Sequence, residues 1–229
     1  MRLEILRRNN GGDPPRLEAF NYTPALASET VATALTRLNE TLPDPIRWDC
    51  GCLQKKCGAC AMVVQGRPVL ACGVRLSDCR EPVRIEPLRK FPVVADLIVD
   101  RGILFENLRE LRTWLPAAAV LDDRAAELAF EASRCLQCGC CLDVCPNFAA
   151  GGTFPGMASA VPVSRLLVEL PPAELEALSE AYRQRIYEGC GKSLACRNVC
   201  PAGIKVEALL VNSNAVAVWK RLLRRKKRR

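Results

Sequence analysis

Eleven of the 14 cysteines in this 229-residue chain fall into three groups whose spacing suits iron–sulfur chemistry. The first is Cys52-x4-Cys57-x2-Cys60-x11-Cys72, three thiols on one short loop and a fourth from further along. This is the plant-type arrangement for a [2Fe–2S] cluster, with an x11 interval shorter than the plant form. Gly58 and Ala59 suit such a loop, because small side chains let backbone N–H groups approach the cluster sulfides. A zinc site with four cysteine ligands is the alternative, although zinc ribbons normally use two CxxC pairs rather than CxxxxCxxC.

The second and third groups are copies of one another. Cys135-x2-Cys138-x2-Cys141-x3-Cys145-Pro146 recurs 55 residues later as Cys190-x2-Ser193-x2-Cys196-x3-Cys200-Pro201. This is the bacterial two-cluster run, in which the fourth Cys of each copy ligates the other cluster. Crossed ligation assigns Cys135, Cys138, Cys141 and Cys200 to a [4Fe–4S] cluster. Cys145, Cys190 and Cys196 then serve the other site, where Ser193 stands in place of a thiol. Three thiolates suit a [3Fe–4S] cluster; a serine alkoxide holding a fourth iron is disfavoured by its high pKa. Cys50, Cys79 and Cys140 remain outside the ligand sets and read as small buried hydrophobes.

Composition removes most other chemistry. Histidine is absent, which excludes His-ligated haem, Rieske centres and Ser/Cys–His catalytic pairs on this chain. Gly191–Lys192–Ser193 resembles the end of a P-loop, but Ile186 occupies the earlier glycine position. No catalytic residue stands out. The formal charge of +8 resides in residues 220–229, whose eight basic side chains leave the rest of the chain neutral. A basic tail without interleaved aromatics gives no nucleic-acid surface. It suits an anionic membrane surface, a partner's acidic loop or plain solvation. The uncharged run 144–164 is interrupted by proline and glycine and cannot form a transmembrane helix. No secretory signal follows MRLEILRR, so the thiols are expected to be reduced metal ligands rather than disulfides.

The elements that must position these groups divide near residue 100. LEILRR (3–8) and LEAFNY (17–22) alternate as strands. Thr30 as N-cap predicts a helix over 31–42, ended by Pro43. AMVV and PVLACG flank Gln65–Gly66–Arg67 as a hairpin, and VRIEPL (83–88) closes the sheet. Beyond 101, apolar residues at helical spacing predict helices over 103–115, 125–136, 172–189 and 204–223. The fold class is therefore α+β. A β-grasp plant-type [2Fe–2S] ferredoxin domain spans 1–100 and an all-α bacterial-type two-cluster ferredoxin domain spans 101–219. The basic tail, 220–229, follows.

This combination resembles the iron–sulfur subunit of succinate dehydrogenase and fumarate reductase over roughly residues 2–215, with RIEPLRKFPVVADLIVD (84–100) and RCLQCGCCLDVCPNF (134–148) as supporting stretches. The resemblance implies the electron-transfer subunit of a respiratory oxidoreductase complex, with no substrate chemistry on this chain. It implies an FAD-containing flavoprotein beside the [2Fe–2S] half and a membrane anchor or cytochrome b subunit with quinone beside the [3Fe–4S] end. FAD and quinone, with haem b a further option, lie on those partners. The expected location is peripheral, on the cytoplasmic face of the cell membrane. Three departures mark the chain. Asn147, Phe148, Ala149, Ala150, Gly151 and Gly152 follow the first Cys-Pro, where many members carry quinone-side aromatics. Gly191 occupies a position where some have histidine. Gln54, Lys55 and Lys56 replace an often acidic loop. The alternative reading is the same relay serving a different flavoprotein or a soluble, non-quinone donor.

Overall fold

The computed structural model describes residues 1–116, 118–119 and 122–220. The basic tail from 221 onward lies outside the described residues. Two compact units result, one formed by Met1–Arg101 with Leu136–Asp143 and the other by Gly102–Cys135 with Val144–Arg229.

The first unit is built on a five-stranded sheet in the order β2-β1-β5-β3-β4. Strand β1 (Arg2–Arg7) pairs antiparallel with β2 (Arg16–Asn21) and parallel with β5 (Val83–Glu86). Strand β3 (Ala61–Val64) pairs antiparallel with both β4 (Arg67–Leu70) and β5. The β3–β4 turn, Gln65–Gly66, has positive φ at both residues (49° and 80°), the backbone whose twist matches a two-residue hairpin. Helix α1 (Val31–Asn39) packs over this mixed sheet, giving the β-grasp arrangement. Thr30 caps it, its side chain accepting from the Thr33 N–H, and Val31, Ala34, Leu35 and Leu38 face inward. The expected helix over 31–42 ends three residues early, although the Leu38 carbonyl still accepts from the Thr41 and Leu42 N–H groups.

Strand alternation brings one charged side chain into this core. Leu3 and Ile5 of β1 are fully buried, and the next inward residue is Arg7. Its Nε and Nη2 donate to the two carboxylate oxygens of buried Asp96 at 3.3 and 3.2 Å. Asp96 also accepts from the backbone N–H groups of Arg8 and Arg47. Burial alone raises the Asp96 carboxyl, but the Arg47 and Arg8 amides and the Arg7 guanidinium outweigh it and hold the group below its ordinary value. Asp96 lies in the turn of a short ribbon that the sequence reading does not assign, β6 (Val93–Ala95) with β7 (Ile98–Val99).

The second unit is helical. It comprises α2 (Gly102–Glu110), α3 (Asp123–Ser133, capped by Asp122), α5 (Met157–Glu169), α6 (Leu175–Ala181) and α7 (Val206–Asn214). The one-turn helix α4 (Cys140–Asp143) belongs to the first unit. Helix α6 continues as a π-helical turn, Tyr182–Tyr187, and α7 as another, Ala215–Trp219. Buried Tyr182 joins the two by donating its hydroxyl to Asn214 Oδ1 at 2.8 Å.

Helix α5 is the centre of this unit, touching α2, α3, α6 and α7, yet the sequence reading assigns no helix there. Ten of its thirteen residues are buried, so it carries apolar side chains all round and shows no amphipathic stripe. Pro162 stands inside it, at a cost of ~3 kcal/mol in an ordinary helix interior. Here tertiary packing on every face outweighs that local penalty. One of its buried serines is paired within the unit: Ser164 donates to the Ala160 carbonyl, and Ser213 of α7 donates to Ser164.

Candidate cluster sites

Three thiols of the first group, Cys52, Cys57 and Cys60, lie on a loop between α1 and β3, and Cys72 joins them from the turn after β4. Leu53 and Lys55 adopt positive φ, curling the backbone so that its amides turn inward. The Cys52 amide donates to Cys57 Sγ, and the Gln54 and Lys56 amides donate to Cys52 Sγ at 3.2 and 3.3 Å. The Lys55 amide reaches Cys72 Sγ at 3.3 Å. Thiolate sulfur is what such donors stabilise: the Gln54 and Lys56 amides lower the Cys52 thiol to about 7. Cys60 is buried beside Cys72, Sγ to Sγ 3.4 Å, and burial pushes it up to about 11. The site thus has two outer sulfurs, Cys52 and Cys57, and two inner ones, Cys60 and Cys72. A crown of backbone amides around four thiols fits an iron–sulfur cluster, whose sulfur ligands carry negative charge. Gln54, Lys55 and Lys56 are exposed on its outer rim.

Gly58 marks the point where this loop tolerates no side chain. Its φ is +76°, and a Cβ there would lie 2.8 Å from the Leu136 carbonyl oxygen and 2.9 Å from Cys138 Cβ. The Cys52–Cys60 loop therefore packs directly on the segment that carries Cys138 and Cys141.

That segment is fixed by several contacts within the first unit. Asp143 accepts from the Arg89 and Lys90 amides, and Gly139 (φ +87°) leaves room for Phe91. Cys140 is fully buried, and its thiol hydrogen-bonds Cys138. The shared bond lowers Cys138 to about 7 and raises Cys140 far above its ordinary value. Cys140 is therefore a donor behind Cys138. Of the other two cysteines read as buried hydrophobes, Cys79 is half-buried and Cys50 is exposed. That reading fails for Cys50 because its loop follows the curled backbone at the surface.

In the second unit one cavity gathers Cys145, Cys190, Cys196 and Ser193, together with Asn147 and Lys192. Burial pushes Cys196 up to about 11. Lys192 lies over the Tyr187 ring, 4.5 Å from its centroid, and donates to the Cys190 carbonyl. Asn147 donates to the Gly189 carbonyl at 2.8 Å. A Cβ on Gly191 would come within 3.0 Å of Asn147 Oδ1. Phe148 is buried in the core, whereas Ala149 and Ala150 are exposed.

The backbone repeats along with the cysteines. Gln137 and Gly139 flank Cys138 with φ of 50° and 87°, and Lys192 and Leu194 flank Ser193 with φ of 56° and 56°. Positive φ is uncommon for side chains such as leucine, and here it recurs at the same 55-residue shift. Ser193 thus shares the local backbone pattern of Cys138. The residue types hide this correspondence, since glycine in one copy is leucine in the other. Cys138 and Cys141 fall in the first unit, while Cys135 and Cys200 fall in the second. Among the described residues, no three Cys, Asp or Glu side chains converge on a single-ion site.

Residues 2–106 match the family described as a 2Fe-2S iron-sulfur cluster binding domain, and residues 131–204 match the 4Fe-4S dicluster domain. The chain is 31% identical to the succinate dehydrogenase iron-sulfur subunit of Bacillus subtilis, covering 93% of this chain and 91% of that one. It is 30% identical to the fumarate reductase iron-sulfur subunit of Wolinella succinogenes, covering 85% and 86%. Its fold matches a chain of the Mycobacterium smegmatis Sdh1 complex in the apo form with a TM-score of 0.78, at 24% identity and 94% and 95% coverage.

Proposed function

Because the chain belongs to the family of succinate dehydrogenase and fumarate reductase iron–sulfur subunits, we propose that it relays single electrons between an FAD-containing flavoprotein subunit and a quinone site on a membrane anchor. The observation that carries the reading is the pair of thiol systems on two matched domains, an amide-crowned site of four cysteines and a duplicated four-position run. The bound clusters supply reversible one-electron chemistry without bond making. Everything else is the work of the chain's own residues. Cys52, Cys57, Cys60 and Cys72 hold [2Fe–2S]; Cys135, Cys138, Cys141 and Cys200 hold [4Fe–4S]; Cys145, Cys190 and Cys196 hold [3Fe–4S]. The division of the chain at residue 100, with a helical domain to 219, is part of the same reading.

The amides of residues 52–56 neutralise thiolate charge at the first site, and the buried Cys140 thiol does so at Cys138. Ser193 on a ligand backbone, without a thiol, supports the three-iron assignment. No helix among the described residues is long and apolar enough to cross a membrane. Attachment at the cytoplasmic face accordingly falls to the anchor, with haem b, where present, on that partner.

A second reading keeps the relay but gives it a different flavoprotein or a soluble donor. It is favoured by Phe148, the single aromatic of residues 147–152, being buried in the core instead of facing outward. Mass spectrometry of chains that co-purify after mild anaerobic detergent extraction separates the two. A flavoprotein plus a multi-helix anchor is the expected result; a flavoprotein without a membrane partner moves the assignment to the second reading.

A further inference from the structure

Arg101 closes the first unit's main segment, and its guanidinium is largely enclosed, with the side chain 17% exposed. Its four hydrogen bonds all go to the two thiol-bearing segments of that unit and their immediate surroundings. Nη1 donates to the Gly58 carbonyl at 3.1 Å and, more weakly, to the Cys138 carbonyl at 3.5 Å. Nη2 donates to the Ala59 carbonyl at 2.9 Å and to Asp49 Oδ2 at 3.1 Å. One planar fork thus grips both the [2Fe–2S] loop and the Cys138 backbone, a span that the point charge of a lysine cannot reproduce. The grip falls where Gly58 already packs on Cys138 without room for a Cβ.

The charge matters as well as the shape. Reduction adds an electron to a site already negative, so a fixed cation nearby favours the reduced form and raises the potential, while an anion does the reverse. Arg101 is such a cation, its Nη1 reaching the backbone carbonyl of Cys138 itself. Asp49, its partially exposed partner, offsets part of that field.

We infer that Arg101 is a positioning residue that clamps the [2Fe–2S] loop against the Cys138 segment and holds up the reduction potentials of both centres, with Asp49 as the opposing charge. The inference rests on the cluster assignments proposed above.

The test is EPR-monitored redox titration of the intact complex carrying Arg101→Gln, Arg101→Lys or Asp49→Asn. Arg101→Gln should lower the [2Fe–2S] and [4Fe–4S] midpoints while leaving the three-iron centre unmoved. Arg101→Lys should restore part of the potential but not the native line shape of the [2Fe–2S] signal, because the carbonyl clamp is lost. Asp49→Asn removes a partially exposed carboxylate and should shift the [2Fe–2S] midpoint upward. If Arg101→Gln fails to assemble, the upward shift in Asp49→Asn still carries the test. Unchanged midpoints in the variants that assemble, or an equal shift at all three centres, would overturn the inference. Absence of a [2Fe–2S] signal from the unsubstituted complex would instead refute the cluster assignment itself.

Discussion

Ser193→Cys tests the register of the second cysteine run most directly. Ser193 shares a cavity with Cys145, Cys190 and Cys196, and its neighbours at 192 and 194 reproduce the positive φ values around Cys138. A thiol introduced there inherits a backbone already shaped for ligation, so no loop rearrangement is needed. A complement of [2Fe–2S], [4Fe–4S] and [3Fe–4S] holds about nine irons and about ten sulfides per chain; converting the last centre to four irons raises iron to about ten with sulfide unchanged. Iron and acid-labile sulfide analysis of the purified complex reads that ratio. EPR of the oxidised protein should lose the three-iron signal in parallel, and the converted centre should titrate at a lower potential. An unchanged iron-to-sulfide ratio with an intact oxidised signal would refute the register that puts residue 193 at a ligand position.

Cys200→Ala should abolish the [4Fe–4S] signal while the three-iron signal persists; EPR showing the opposite loss would reverse the crossing. Gly58→Ala places a Cβ against Leu136 and Cys138 at φ +76°, at a backbone cost of ~1–3 kcal/mol, and should reduce [2Fe–2S] occupancy measured by visible absorption. Asp96→Asn removes the buried one of three carboxylates paired with Arg7, leaving Asp44 and Glu18. It should destabilise the protein by ~1–3 kcal/mol in denaturant titration, less than the ~3–5 kcal/mol of an uncompensated buried charge. The Asp96 carboxyl titrates below its ordinary value when folded, so its contribution is complete above ~4, the unfolded value, and is lost as pH falls through the folded one. The Asn variant should accordingly show a flatter acid limb.

The parts of this fold that could be read from residues are those where one side chain has one local reason. Thr30 starts α1 because its hydroxyl meets the Thr33 amide, and the β3–β4 hairpin turns at Gln65–Gly66 as its flanking strands require. The cysteine groups are legible because ligand spacing is counted in residues, and the duplication because both copies keep the count. Helix α5 was hidden, since burial on every face erases periodicity and Pro162 argues locally against a helix. Arg7 reads as a polar strand end until Asp96, 89 residues away, is brought beside it. Cys140 looks like a spare cysteine, and only the folded backbone turns its thiol onto Cys138. For α5 and Arg7 the deciding partners are distant in sequence; for Cys140 the partner is two residues away and is reached only through the positive-φ turn at Gly139.

The strand order has a consequence for synthesis. Strand β1 lies inside the sheet, yet its parallel partner β5 follows it by 80 residues, with Leu3 opposite Val83 and Ile5 opposite Ile85. As the chain emerges from the ribosome, β1 can form only its hairpin with β2, leaving one edge open. The Cys52–Cys60 loop emerges into that unfinished sheet, and β3 lacks its central neighbour until residue 86 is out. Closing so long a loop is slow. An open edge meanwhile invites wrong pairing, so stable [2Fe–2S] insertion has to wait for β5.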